Sequence, residues 1–184
     1  MITKTSKVIY IILSVTLLLA VHNVNAQSGN SGELRFGVGV DGILPIGNTA
    51  RGLNFGLGIT PRLQYGVSEK FALTFTSGIY HFFPKTITYP ASGSFSGFSY
   101  ERKSDIIPVK AGFKYFIGKN FYLAGEAGLG FEVADGGGPI YFLWSPGFGY
   151  ASKRWDVGAR FENYAGSGGS DGITALRVAY GFGL

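Results

Sequence analysis

The chain has 184 residues, with 30 glycines, 16% aromatic residues, no cysteine and a formal charge of +5 at pH 7. Its basic residues are dispersed rather than clustered, which argues against a nucleic-acid surface. Disulfide frameworks and thiolate metal sites are excluded outright, and regular alternation of aromatic and aliphatic positions does not fit glycine-rich disorder.

Residues 1–26 read as a cleaved export signal. Lys4 and Lys7 supply the charge, Val8 to Val21 the apolar run, and V-N-A (Val24 to Ala26) the small residues before a cut at Gln27. The run is shorter than the ~18 residues that suggest a membrane helix. Residues 27–32 form a short N-terminal segment, and 33–184 a single domain.

Period-two alternation runs through nearly all of that domain and predicts eight strands. In chain order they are Glu33 to Leu44, Leu53 to Tyr65, Phe71 to Phe83, Asp105 to Phe116, Phe121 to Val133, Ile140 to Tyr150, Trp155 to Tyr164 and Thr174 to Leu184. Each has at least the ~9–11 residues a tilted strand needs to cross a bilayer. Three connections are tight: G-V-S-E-K, I-G-K-N and A-S-K-R. The other four are longer or richer in glycine. Short turns on one side and long loops on the other fit a transmembrane barrel.

The two faces of the strands differ sharply. One carries Leu53, Phe55, Leu57, Ile59, Leu63 and Tyr65 in the second strand, and Ile140, Phe142, Trp144, Phe148 and Tyr150 in the sixth. The other carries Asn54, Gly56, Gly58, Thr60, Arg62 and Gln64, then Asp156, Gly158, Arg160 and Glu162 in the seventh strand, and Arg177 in the eighth. An eight-stranded barrel has room inside only for side chains that fill it. Bulky apolar residues from eight strands would not fit there. They are therefore expected to face lipid, with glycines, alanines and charges facing inward. Tyr65 with Phe71, Tyr115 with Phe121, and Tyr150 with Trp155 flank the tight turns on the lipid face, as an aromatic girdle would.

The inward charges are Arg35, Arg62, Lys110, Lys114, Arg160 and Arg177 against Asp41, Glu126, Glu132, Asp156 and Glu162. Unpaired, each would cost several kcal/mol, so a salt-bridged plug of side chains is expected rather than an open pore. Arg62, Glu126, Arg160 and Arg177 should converge. Pro61, Pro108 and Pro146 interrupt strands and are expected at bulges or rims.

The run S-D-I-I-P-V-K-A-G-F-K-Y-F-I-G-K-N-F-Y-L-A-G-E-A-G-L-G, with L-Q-Y-G-V-S-E-K-F-A-L-T-F and G-Y-A-S-K-R-W-D-V-G-A-R-F, resembles the hairpins of the outer-membrane β-barrel domain family. That family includes small eight-stranded barrels of the OmpX and OmpA-transmembrane-domain kind. The resemblance implies an all-β, antiparallel, up-and-down barrel in the outer membrane of a Gram-negative-type bacterium, reached through the periplasm. The ending A-Y-G-F-G-L resembles the signal read by the barrel-assembly machinery, with Tyr180, Phe182 and Leu184 alternating. The bilayer and that machinery are the implied partners.

Chemistry is sparse. His81 is the one histidine after the signal, on the lipid face near the outer rim. Ser77 shares that face about 13 Å away at ~3.3 Å per residue, too far for proton transfer. Asp105 falls near His81 across the hairpin, and Ser99 lies in the long loop. G-G-S-D-G (Gly168 to Gly172) has only a faint calcium-loop look. No residue is assigned as catalytic, cofactor-binding or metal-ligating, and no cofactor is expected. The stretch 84–104 alternates Phe95, Phe98 and Tyr100 with serines. The stretch reads either as a mobile surface loop or as a hairpin extension that binds an extracellular ligand by strand addition or aromatic contact. The reading is a structural or surface-interaction barrel. A lipid A-modifying enzyme and a narrow solute channel are the alternatives.

Overall fold

The computed structural model describes residues 31–90, 97–101, 103–134, 137–166 and 169–184. The export signal of residues 1–26 lies outside them, as do Phe95 and Gly168. Strands are β1 (Leu34–Ile46), β2 (Leu53–Gly66), β3 (Phe71–Ser77), β4 (Ile79–Pro84), β5 (Thr86–Tyr89), β6 (Phe98–Glu101), β7 (Ser104–Ile117), β8 (Phe121–Glu132), β9 (Ile140–Ala151), β10 (Trp155–Gly166) and β11 (Gly169–Gly183). One helical turn, α1 (Thr49–Gly52), sits between β1 and β2. Among the described residues no helix is long and apolar enough to cross a membrane.

All pairings in the main sheet are antiparallel. β1 pairs with both β2 and β11, so the sheet closes on itself. β3 and β4 continue one another as a single stave, both pairing β2 on one side and β7 on the other. The barrel therefore has the eight staves predicted, with strand ends within a few residues of expectation except at β11, which starts five residues early. Closure leaves no free edge, which hydrocarbon could not solvate.

The single lapse in the third stave has a local cause. Register on both sides of Gly78 is unchanged. By that register Pro61 of β2 faces Ser77, and Pro108 of β7 faces Gly78. Neither proline has an N–H to donate. Gly78 sits at φ 149°, and a Cβ there would come within 2.1 Å of the Ile59 carbonyl oxygen. Any side chain would force the staves apart. Pro146 marks a similar lapse, between β9 and β10, where pairing resumes in the same register beyond Arg160↔Gly147 at Asn163↔Trp144. The prolines thus interrupt ladders in mid-strand without the bulges or rim positions that were expected.

The outside of the barrel is apolar. Ile59 is 58% exposed, Phe148 65% and Phe121 64%, and Phe55, Phe113 and Leu129 are exposed as well. The expected girdle forms beside the tight turns. Phe71 pairs with Tyr115, Phe121 with Tyr150 and Trp155 with Tyr180. The Phe121–Tyr150 and Trp155–Tyr180 rings each meet edge-on at 5.2 Å.

Two expectations of facing need correction. Leu53 is buried, while Asn54 is exposed. The β2–β4 register shifts between Leu53 and Phe55, and such a slip moves a residue to the opposite face. The lumen is also less polar than expected. Ile43, Tyr80, Phe82, Ile106, Leu143, Tyr164 and Ile173 join Leu53 in an apolar cluster toward the long-loop end. Phe116 and Tyr122, with Ala72 and Ala151, form a second cluster toward the tight-turn end.

Candidate functional site

Between these apolar layers lies a band of charges. Alternation turns Arg62 of β2, Lys110 and Lys114 of β7, Glu126 of β8, Glu162 of β10 and Arg177 of β11 inward, and all are buried. Arg62 Nη2 donates to Glu126 Oε1 at 2.7 Å, and Arg62 Nε to Thr76 Oγ1 at 2.8 Å. Lys110 pairs with Glu126 at 3.1 Å and bonds Glu162 directly. Arg160 bridges Glu162 at 3.2 Å and Asp41 at 2.5 Å, and donates to the Tyr80 hydroxyl at 2.9 Å. Thr60 donates to Asp41 at 2.5 Å. Arg177 donates to the Thr60 hydroxyl at 3.0 Å and carbonyl at 2.8 Å. A continuous polar chain thus links β2, β8, β7, β10, β1 and β11 across the lumen.

Glu162 is the most connected member. Its Oε2 accepts from Lys110, Arg160 and Ser145, and its Oε1 from Tyr164. One layer nearer the tight turns, Lys114 bonds Asp156, which also accepts from the Tyr122 hydroxyl at 2.6 Å. The Lys114 ammonium lies 4.3 Å from the Tyr122 ring centre. Two cavities of about 30 Å³ each adjoin the network. Each has room for a water or two.

Most charges singled out in the sequence therefore meet in the lumen, and Arg62, Glu126, Arg160 and Arg177 converge on one cavity. Arg35 and Glu132 stand apart. Arg35 donates to the Lys153 carbonyl at the tight-turn end at 2.6 Å, and Glu132 accepts from Tyr141 near the other end at 2.9 Å. Two tyrosines finish the network. Tyr164 shares its parity with the inward set Asp156, Gly158, Arg160 and Glu162, so alternation turns it inward, whereas Tyr80 lies in a run of bulky residues on both faces.

His81 and Asp105 are direct cross-strand partners, with Nδ1 and Oδ1 2.5 Å apart on the outer wall. Phe83 meets the His81 ring edge-on at 4.9 Å. Ser77 pairs with Val109 on the far side of the Gly78 lapse. Among the described residues no three His, Cys, Asp or Glu gather to hold a metal ion.

Within the stretch 84–104, Thr86–Tyr89 pair antiparallel with Phe98–Glu101. β5 and β6 make a separate two-stranded sheet. Thr86 donates to Glu101 at 2.6 Å, the Thr88 and Ser99 hydroxyls lie 2.9 Å apart, and Tyr89 stacks on Phe98 at 5.0 Å. Tyr89, Phe98 and Tyr100 all remain exposed.

No family model matches the chain, and no curated protein sequence matches it. Solved structures do. The crystal structure of Ail, the attachment invasion locus protein of Yersinia pestis, is 14% identical with a TM-score of 0.54, over 83% of this chain and 99% of that one. Its complex with the heparin analogue sucrose octasulfate gives 13%, 0.53, and the same coverage. The backbone structure of Ail in a phospholipid bilayer nanodisc gives 14% and 0.54, over 83% of this chain and 100% of that one. A likeness at such identities carries the fold and nothing beyond it. With its closed antiparallel sheet, apolar outer wall and inward charges, the chain folds as a small eight-stranded transmembrane β-barrel of the outer-membrane type.

Proposed function

We propose that the protein is a non-conducting barrel of a Gram-negative-type outer membrane that holds the β5–β6 hairpin out as a surface-interaction element. In this reading the chain is exported to the periplasm by residues 1–26 and inserted by the barrel-assembly machinery through Tyr180, Phe182 and Leu184. It has no catalytic role. The observation that carries the reading is the hairpin itself. It is a two-stranded sheet separate from the barrel, with exposed Tyr89, Phe98 and Tyr100. Unpaired strand edges accept an added strand, and exposed aromatics supply contact area. The charge network and the apolar clusters above and below it support a lumen that passes no solute. The complex of Ail with a heparin analogue is a precedent for ligand binding in a protein of this fold.

Excision of residues 92–99 tests the role. The trimmed barrel is expected to keep its heat-modifiable mobility on gels and to lose adhesion to the target surface. Unchanged adhesion with normal folding would refute an interaction role for the hairpin. In planar bilayers the intact protein is expected to give no stepwise conductance.

A further inference from the structure

At the long-loop end, beyond the charge network, the barrel mouth contains a cavity of about 150 Å³. Leu53, Phe82, Ile106 and Ile173 give it an apolar floor, Tyr141 and Tyr164 add aromatic walls, and Thr49 and Asp171 stand among its polar lining. Asp171 Oδ1 and Thr49 Oγ1 are both shielded from solvent, yet neither has a hydrogen-bond partner among the described residues. A buried acceptor left without a donor is unfavourable, and more so when it is charged. The tyrosines do not relieve this, because Tyr141 donates to Glu132 and Tyr164 to Glu162, each at 2.9 Å.

A group with N–H or O–H donors would satisfy the Asp171 carboxylate, and the Thr49 hydroxyl can accept from it or donate to it. Such a group must also tolerate apolar surroundings. Aromatic rings attract cations through their faces, which favours a positively charged donor over a neutral one. A calcium ion is a poor fit, since it takes about 6–8 oxygen ligands and Asp171 is the only carboxylate among the described residues that line the cavity. The size is below the ~300–1,000 Å³ of pockets for drug-sized ligands. We propose that this mouth cavity binds a small primary ammonium compound with an apolar body. Its N–H groups donate to Asp171 and Thr49, and its body rests on Phe82, Ile106 and Ile173. The site is separate from the β5–β6 hairpin, so it stands or falls independently of the surface-interaction role.

The barrel, folded in phospholipid nanodiscs, is titrated at pH 7 with 2-phenylethylamine, which is protonated there, and with 2-phenylethanol, its neutral isostere. Binding is read from amide shifts at Gly52, Gly172 and Ile173. The amine is expected to saturate and to bind about tenfold more tightly than the alcohol, as a charge-assisted bond to a carboxylate requires. Asp171→Asn is expected to bring the two within about twofold, with heat-modifiable folding as its control. Equal binding of the two probes by the unaltered protein, or no saturable shift with the amine, overturns the proposal whether or not the variant folds. A folded Asp171→Asn barrel that keeps the full preference for amine overturns it too.

Discussion

Glu162→Ala is expected to lower the stability of the folded barrel by about 3–5 kcal/mol, because removing one member of a buried ion pair strands the others. The side chain is fully buried and accepts from Lys110, Arg160, Ser145 and Tyr164. With its carboxylate gone, Lys110 retains only Glu126, and Arg160 only Asp41 and Tyr80. Urea unfolding from phospholipid vesicles measures the change. The paired replacement Lys110→Met with Glu162→Leu is expected to recover much of the loss, since apolar residues of similar volume often match a buried pair. Recovery is incomplete, because Arg160, Ser145 and Tyr164 still lack their acceptor. A loss under about 0.5 kcal/mol for Glu162→Ala, the range of an ordinary surface change, would show that water already solvates the network.

Ile59→Arg is expected to cost about 2–4 kcal/mol, the range for a basic residue at the bilayer midplane on a lipid-facing strand position. Ile59 is mid-strand in β2, with Val40 and Ile79 as cross-strand neighbours. Its side chain is more than half exposed. In a water-soluble protein, the same exchange at so exposed a position would be nearly neutral. The sign and size of the effect therefore report what solvates the outer wall. Leu34→Arg, at the tight-turn edge of β1, serves as the internal control and is expected to cost no more than about 1 kcal/mol, because the penalty fades near the interface.

Where alternation was strong, the sequence was legible. In β9, Ile140, Phe142, Trp144, Phe148 and Tyr150 all face outward as read. In β10 and β11, Glu162 and Arg177 turn inward for the same reason. Legibility was weaker where both faces carry bulky residues. In Ile79, Tyr80, His81, Phe82 and Phe83 only the parity that set His81 on the lipid face marks Tyr80 and Phe82 as inward. Legibility failed at Leu53, the first residue of β2, where the slip before Phe55 turns that one side chain to the opposite face. Pairing within the lumen was out of reach for a different reason. Arg160 meets Asp41 across the barrel interior, and only closure of the sheet with its stagger decides which charges share a level. The mouth cavity depends on residues of β1–β2, β4, β7, β9, β10 and β11 together, and no local pattern marks it.

In this barrel apolar side chains meet hydrocarbon and charges meet one another. Its two tryptophans sit at different depths on that outer wall. Trp144 pairs with Ala127 in the middle of β8, while Trp155 begins β10 beside a tight turn. Both are exposed. The most direct test is tryptophan fluorescence of single-tryptophan variants, Trp155→Phe and Trp144→Phe, in vesicles of lipids brominated at defined acyl positions. Trp144 is expected to be quenched most by bromines deep in the chain, and Trp155 by bromines near the headgroup, with neither quenched by aqueous iodide. Strong quenching of Trp144 by iodide, with none by brominated lipid, would contradict the account.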